Sequence, residues 1–583
     1  MYVIDLNLPH VPHLVKSHDE LVTTLEWNEN GSRLLIGDSN GAIEIWTRKE
    51  HLIDQWTLLH RNVCFSGEHV LAALWFFAAN NKLQINYEKR DLCCSYAEKF
   101  TTQPFAPSVK QFGGRPASGC ICVSNSGLIW TGCFANEDEE ETLITASDSL
   151  GRTRTKIKVI DLAYAKNGEF FIAASNGSIG FPIQCYRISL HVNGFERAER
   201  NSLNIQCAYY CSFYLNCLTS SLNEQQRTQH RSVTHIRFVS RDETDALVIS
   251  CAGPSGSTLE LWELKEKQVP LHKMFSSEGP TSNGHSTIDW QHSTSCNYSH
   301  QILALSASNQ AILDRNCSRQ NSLLAVAYSD GVIRCLTKEN LLQFCSYEFV
   351  NLKNVSPSSL LRYQVADMQF TWSQSVLLML DNASQLFAFR LQPVCADGAV
   401  HTLNHTLALL EYSLVSGHDW VDILFALRHN MIEQLCERLN ESFQKQALPV
   451  QQKWLLRQLA IKGSLYRCIS VNKSGDCHAQ VVLYSIANLL RQLPRSRDHH
   501  DRESPAEHLS AIIQNKATEY QINKIFIQLE HKEFCVEGSV LQSLQHLNQW
   551  VGDLALFLVA SLPQQCHNNV RFPGVSEKNN PTF

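Results

Sequence analysis

Among the 583 residues of this chain, those most capable of chemistry are its 21 cysteines and 24 histidines. A zinc centre needs about four such ligands converging tetrahedrally, usually as two short-spaced pairs. The pairs His10/His13 and His499/His500 and the step Cys477-His478 have no second pair at zinc-site spacing. No Cys-x-x-Cys occurs. Cys207, Cys211 and Cys217 are close in sequence but read as ordinary thiols rather than metal ligands. Phosphoryl chemistry would need a backbone cradle of the form G-x-x-x-x-G-K-[S/T], and none is present. Phe112, Gly113 and Gly114, followed by Arg115-Pro116, are glycine-rich but lead into neither helix nor lysine, so they read as a turn between strands. Gly253-Pro254-Ser255-Gly256 lacks the spacing of a nucleophile elbow. The acid run Glu137–Glu141 reads as a solvated loop, and the basic residues of Gly151–Lys158 as the exposed face of a strand. No catalytic, cofactor-binding or metal constellation emerges, so a non-enzymatic protein without a cofactor is expected.

Composition narrows the classes further. Hydrophobic residues make up 44% and charged residues 18%, an ordinary globular balance. Fifty Lys+Arg against 56 Asp+Glu leave a net charge of -6, which gives no bulk attraction to nucleic acid. The opening Met1-Tyr2-Val3-Ile4-Asp5 is no signal peptide, so the cysteines are expected to be reduced and mostly buried.

The elements that would position any site form a repeat. A phrase of Val, two residues, an apolar residue, one residue and an aromatic recurs as Val22-Leu25-Trp27, Val70-Ala73-Trp75, Val159-Leu162-Tyr164, Val233-Ile236-Phe238 and Val365-Met368-Phe370. Apolar runs and tight turns follow, as at Asn40-Gly41, Asn176-Gly177 and Asp330-Gly331, where positive φ is tolerated and two-residue hairpin turns are expected. The starts fall roughly 45 residues apart or at multiples of that, the period of a four-stranded propeller blade. Partial copies around Cys120–Ile129 and Leu323–Leu336 bring the expectation to about seven blades. Trp27, Trp46 and Trp262 are expected to pack between blades, and the polar stretches 191–232 and 267–322 to be insertions.

Near residue 395 the apolar period becomes about 3.6. Trp420, Leu424, Leu427, Met431, Leu435 and Leu439 form one helical face, with Asp419 placed to accept first-turn N–H groups and Asp422 to complement the helix start. A second helix reads Val540, Leu544, Leu547, Val551, Leu554, Leu558, capped by Ser539 and stopped by Pro563. Asp553 within it makes a membrane span expensive, so no membrane segment is expected. Weaker helical patterns fill 449–470, 478–493 and 506–530. These helices carry more apolar surface than a short bundle buries, which marks an interface. The fold class is thus multidomain: an all-β WD-repeat-like propeller over 1–395 followed by an all-α helical domain over 396–583.

Four phrases resemble segments of the Mediator complex subunit 16 family. They are Leu21–Trp46, Phe112–Pro116, Leu409–Leu424 and Gln549–Gln565. The last two contain Asp419, Trp420, Trp550, Gly552 and Asp553, which with Trp27, Trp46, Phe112, Gly113 and Gly114 are the candidate interaction residues. The resemblance implies a nuclear coactivator subunit of the Mediator tail module, linking DNA-bound regulatory factors to RNA polymerase II. It implies as partners tail subunits such as 23, 24 and 25 together with transcription activators, with no direct nucleic acid contact. Against the family pattern the chain starts at the strand Tyr2–Leu6 and stops at Phe583, so an incomplete first blade is expected. The rival reading is a propeller-plus-helix scaffold of a membrane coat or nuclear pore.

Overall fold

The computed structural model describes residues 1–492, apart from connecting stretches of which the longest are 86–94, 105–116, 194–201, 220–230, 270–284, 308–322, 350–364 and 392–398. Five four-stranded antiparallel sheets and one three-stranded sheet follow one another along the chain, at 22–63, 70–149, 159–213, 232–298, 302–348 and 365–390. These are propeller blades one to six. Their innermost strands lie side by side in sequence, from Val22–Trp27 against Val70–Ala78 through to Ile302–Ala307 against Val365–Phe370. Blades two to five each have a neighbour on both faces, so middle strands such as Glu169–Ser175 and Leu323–Tyr328 are almost wholly buried and read as continuous apolar runs.

Six blades are described rather than the expected seven, for a definite reason. The partial copy at Cys120–Ile129 is no blade of its own: Ala117–Ser124 pairs with Val70–Ala78 in blade two. The 38 residues between those strands hold a separate hairpin, Asn81–Ile85 with Phe100–Pro104, and a short helix α1 (Tyr96–Lys99). The copy at Leu323–Leu336 is the middle of blade five, whose inner strand is Ile302–Ala307. Blade one is a complete four-stranded sheet, not a partial one. The stretches expected to be insertions contribute the strands Ser202–Phe213, His285–Tyr298 and Ile302–Ala307. The first two are half-exposed outer strands, whose polar alternation hid them. Lys156–Lys158, read as part of a strand, lies in the connection between blades two and three.

The turns also differ in detail. Strands Arg33–Asp38 and Ala42–Arg48 are joined by three residues, not two, and Gly41 closes the loop at φ +81°. Asp38 Oδ1 accepts the N–H groups of Asn40 and Ala42 at 2.9 and 2.8 Å, fixing the bend.

A short helix α2 (Asn216–Thr219) lies between blades three and four, the strands end at Arg390, and helix α3 runs over Ala399–Ser416. The single helical face expected over 420–439 is interrupted. It is divided into α4 (Val421–Ala426), a 3-10 turn (His429–Met431) and α5 (Ile432–Gln444), because Leu427 and Arg428 are extended. The spacing survives the break because Met431, Leu435 and Leu439 enter one core and Trp420, Leu424 and Leu427 pack against it. Helix α6 (Leu448–Arg467) starts with Pro449 in its first turn, where proline has no hydrogen bond to lose, and α7 spans Val471–Gln492. Met1–Tyr484 form one compact unit. No described helix is long and apolar enough to cross a membrane. The helix expected over 540–558 lies outside the described residues.

Candidate functional site: the propeller–helix junction and the blade-one face

Helices α3 to α6 share a core with the hairpin inserted in blade two. Ile85, Tyr96 and Phe100 from that insertion pack with Leu407, Leu410, Tyr412, Leu435 and Leu439. Inside this apolar layer lies a polar cluster. Lys99 Nζ reaches both carboxylate oxygens of Glu411 at 2.9 and 2.8 Å and Ser442 Oγ at 3.2 Å. Ser442 Oγ also donates to Glu411. The Tyr96 N–H donates to Gln446 Oε1 at 2.9 Å. Burial, and then the Glu411 charge, push the Tyr96 phenol far above its ordinary range. A buried charge without a partner costs several kcal/mol, so this arrangement fixes the helices to the insertion in one register.

Blade six makes a second clasp. The Trp372 indole N–H donates to the Asp419 carbonyl at 2.7 Å, and its ring stacks on Tyr412 at 5.7 Å and lies 4.9 Å from His418. Ser373 donates through its backbone N–H and its hydroxyl to Asp422. Asp422 is therefore buried between propeller and helices rather than solvated at a helix start. Burial raises its carboxyl above the ordinary value, although the Ser373 hydrogen bonds oppose the shift. Asp419 Oδ1 accepts the N–H groups of Trp420 and Val421 at 2.7 and 3.3 Å, at the start of α4. Trp420 packs at the edge of the shared helical core. Sequence spacing found Asp419, Asp422 and Trp420. It missed Lys99, Glu411 and Ser373, whose partners are far away in the chain.

The tryptophans divide. Trp262 packs between blades, 4.4 Å from Phe213 of blade three. Trp75, not Trp27, joins blades one and two, its indole donating to the Glu26 carbonyl at 3.0 Å. Trp27 contacts Trp56 of its own blade and is 43% exposed. Trp46 donates to Glu44 at 2.9 Å with Lys16 over its ring, just as Trp262 donates to Glu260 at 2.9 Å. In both blades a glutamate two residues earlier shares the strand face with the indole it holds. Trp27 and Trp46 belong instead to the outer face of blade one. Register places Trp27, Leu34, Trp46 and Leu58 in one row across four strands, with Leu25 beside them. Leu25 and Leu58 are 51% and 44% exposed. The described helices bury most of their apolar face in the shared core and expose Phe425, Leu448 and Tyr484 on three separate helices, so among the described residues the broader exposed group lies on the propeller.

The three close cysteines do not converge. Cys211 lies opposite Cys185 on the neighbouring strand, Cys217 interacts with Cys251, and Cys207 stands apart from both pairs. Among the described residues no three metal-ligating side chains cluster. Phe112, Gly113, Gly114, Trp550, Gly552 and Asp553 lie outside the described residues.

Two family models match this chain. The one described as Mediator complex subunit 16, N-terminal, matches residues 61–360, and the one described as Mediator complex subunit 16, central helical bridge, matches 409–581. Mediator of RNA polymerase II transcription subunit 16 from Aedes aegypti is 31% identical over 97% of this chain and 68% of its own length. Its counterparts from Xenopus tropicalis and Homo sapiens are each 29% identical over 97% of this chain, covering 69% and 66% of their own lengths. The matches take in the propeller, the inserted hairpin and the helices clasped to it, and the chain belongs to the Mediator complex subunit 16 family.

Proposed function

We propose that this chain is a non-enzymatic subunit of the Mediator complex, working in the nucleus as a protein–protein scaffold. The observation that carries the reading is that one family accounts for both the propeller and the helical region, while buried polar contacts join the propeller to helices α3 to α6. Matches to a single family leave the membrane-coat and nuclear-pore alternative without support. On this proposal the chain sits in the tail module, beside subunits such as 23, 24 and 25. It passes signals from transcription activators toward RNA polymerase II without breaking or making a bond.

The blade-one face of Leu25, Trp27, Trp46 and Leu58 is the docking surface we assign to a neighbouring subunit. An exposed row of large apolar side chains around a half-buried indole is the composition of an interface centre. Affinity purification of the tagged chain from nuclear extract, followed by mass spectrometry, tests both statements. Mediator subunits should be recovered with the parent chain and lost with Trp27→Asp/Leu58→Asp. Recovery of coat or pore proteins in place of Mediator subunits would refute the reading. Unchanged recovery with the double variant would refute only the assigned surface.

A further inference from the structure

Blades three and five carry the same thiol arrangement. In blade five Cys335 faces Cys345 across the two outermost strands, and in blade three Cys185 faces Cys211 across the equivalent pair. Each pair sits at a register shift. Leu336 pairs with Gln343, leaving Phe344 extra, and Tyr186 pairs with Tyr209, leaving Tyr210 extra. Blades one and four shift at the same place, but with Ile45 opposite His60 and Leu261 opposite Thr294. Directly opposed residues of an antiparallel pair have Cα atoms about 4.5–5.5 Å apart, inside the range a disulfide spans. The two members of each pair differ in access. Cys335 and Cys185 are fully buried, whereas Cys345 and Cys211 lie half-buried on the outer strand of the blade.

We infer that Cys335 and Cys345 form a reversible dithiol–disulfide site, with Cys345 as the attacking thiol and Cys335 as the resolving one. Cys345 faces the buried Cys335 across the strand pair and itself donates to Tyr347 Oη at 3.7 Å, the Tyr347 hydroxyl donating in turn to the Arg390 carbonyl at 2.8 Å. A hydrogen bond from the Cys335 thiol favours the Cys345 thiolate, lowering its pKa to about 7, while Cys335 is raised far above the ordinary range. An attacking thiol with a pKa near ambient pH reacts fastest. The oxidant is a low-molecular-weight disulfide. The Cys345 thiolate attacks one of its sulfurs, forming a mixed disulfide and releasing one small thiolate. Cys335 then gives up its proton and attacks the Cys345 sulfur, expelling the second small thiol. Two electrons pass from the protein to the reagent, and the protons end on the two released thiols. Cys185 and Cys211 repeat the geometry and provide an internal second copy.

The test equilibrates the full chain with reduced and oxidised glutathione at graded ratios, blocks free thiols by alkylation and maps peptides by mass spectrometry. Lys338 lies between the two cysteines, so trypsin separates them and a disulfide links two peptides. The expected result is loss of both free thiols together and appearance of the Cys335–Cys345 linked peptide, reversed by excess thiol. Cys335→Ala should stop at the mixed disulfide on Cys345, and its alkylation midpoint should move from near 7 toward the ordinary cysteine value of about 8.5. Free alkylation of Cys345 at every ratio, or a stable glutathione adduct on Cys345 in the parent chain, would overturn the inference without any variant having to fold.

Discussion

Lys99 and Glu411 lie 312 residues apart in the chain and meet 2.8 Å apart, with side chains only 4% and 2% exposed. One comes from a hairpin inserted in a propeller blade and the other from the first helix after the last blade. Their contact makes helices α3 to α6 and the propeller parts of one folded unit, so dividing the chain near residue 395 would strand a buried charge on each side.

Lys99→Met should therefore lower stability by about 3–5 kcal/mol, since it leaves the Glu411 carboxylate buried without its cation. Lys99→Met/Glu411→Leu should recover most of that loss, because apolar side chains of similar volume replace both charges. Urea unfolding followed by fluorescence checks the difference between the single and double variants. Equal losses in the two would show that the ion pair does not govern the junction.

Glu260 is buried and accepts the Trp262 indole N–H at 2.9 Å and the backbone N–H groups of Asn216 and Cys217 at 3.0 and 2.7 Å. Glu260→Leu leaves three donors without an acceptor. It should cost at least about 3 kcal/mol, at roughly 1–3 kcal/mol for each buried unsatisfied group. Thermal unfolding checks this, with protease sensitivity of the connection between blades three and four as a local readout.

Gly41 takes φ +81°, and a Cβ there would stand 1.9 Å from the Phe65 carbonyl oxygen. Gly31 takes φ +66° with nothing within 4 Å of such a Cβ. Gly31→Ala should cost about 1–2 kcal/mol from backbone strain alone, and Gly41→Ala clearly more, since the backbone around Phe65 must also shift. Chemical denaturation of the two variants side by side measures the gap.

His235 sits with its Nδ1 3.1 Å from Thr234 Oγ1 and Ser250 Oγ, and burial, then Arg237, lower its pKa from 6.5 to about 4. Between those values the unfolded chain binds a proton that the folded chain does not, so the contribution is lost as pH falls from 6.5 toward 4. The loss should be about 2 kcal/mol, the full shift being discounted because the ring is partly exposed. Stability measured against pH for the parent chain and His235→Gln checks it: the variant should show the shallower acid limb.

The propeller was legible because inner and middle strands repeat one buried pattern, as Val365-Met368-Phe370 and Val233-Ile236-Phe238 do. Outer strands such as His285–Tyr298 were not, since half-exposed positions accept His, Ser and Thr and look like loop. The seventh blade arose from counting Cys120–Ile129 as a start, when 38 inserted residues had displaced the second strand of a blade already begun. Within the junction, Asp419 showed through its local bonds to the N–H groups of Trp420 and Val421, and Asp422 through its place in the first turn of α4, but the Ser373 contact of Asp422 did not. Lys99 and Glu411 carried no local signal, because charge pairing across 312 residues depends on the fold being in place.

The central claim is that this chain, its propeller clasped to helices α3 to α6, is a subunit of Mediator. The most direct measurement adds the purified full chain to Mediator depleted of its subunit 16 and follows incorporation by gradient sedimentation with quantitative mass spectrometry. The account predicts that the chain co-sediments with the complex at one copy per assembly, and that Trp27→Asp/Leu58→Asp reduces its occupancy. A folded chain that stays at the top of the gradient, with Mediator sedimenting unchanged beneath it, would contradict the account.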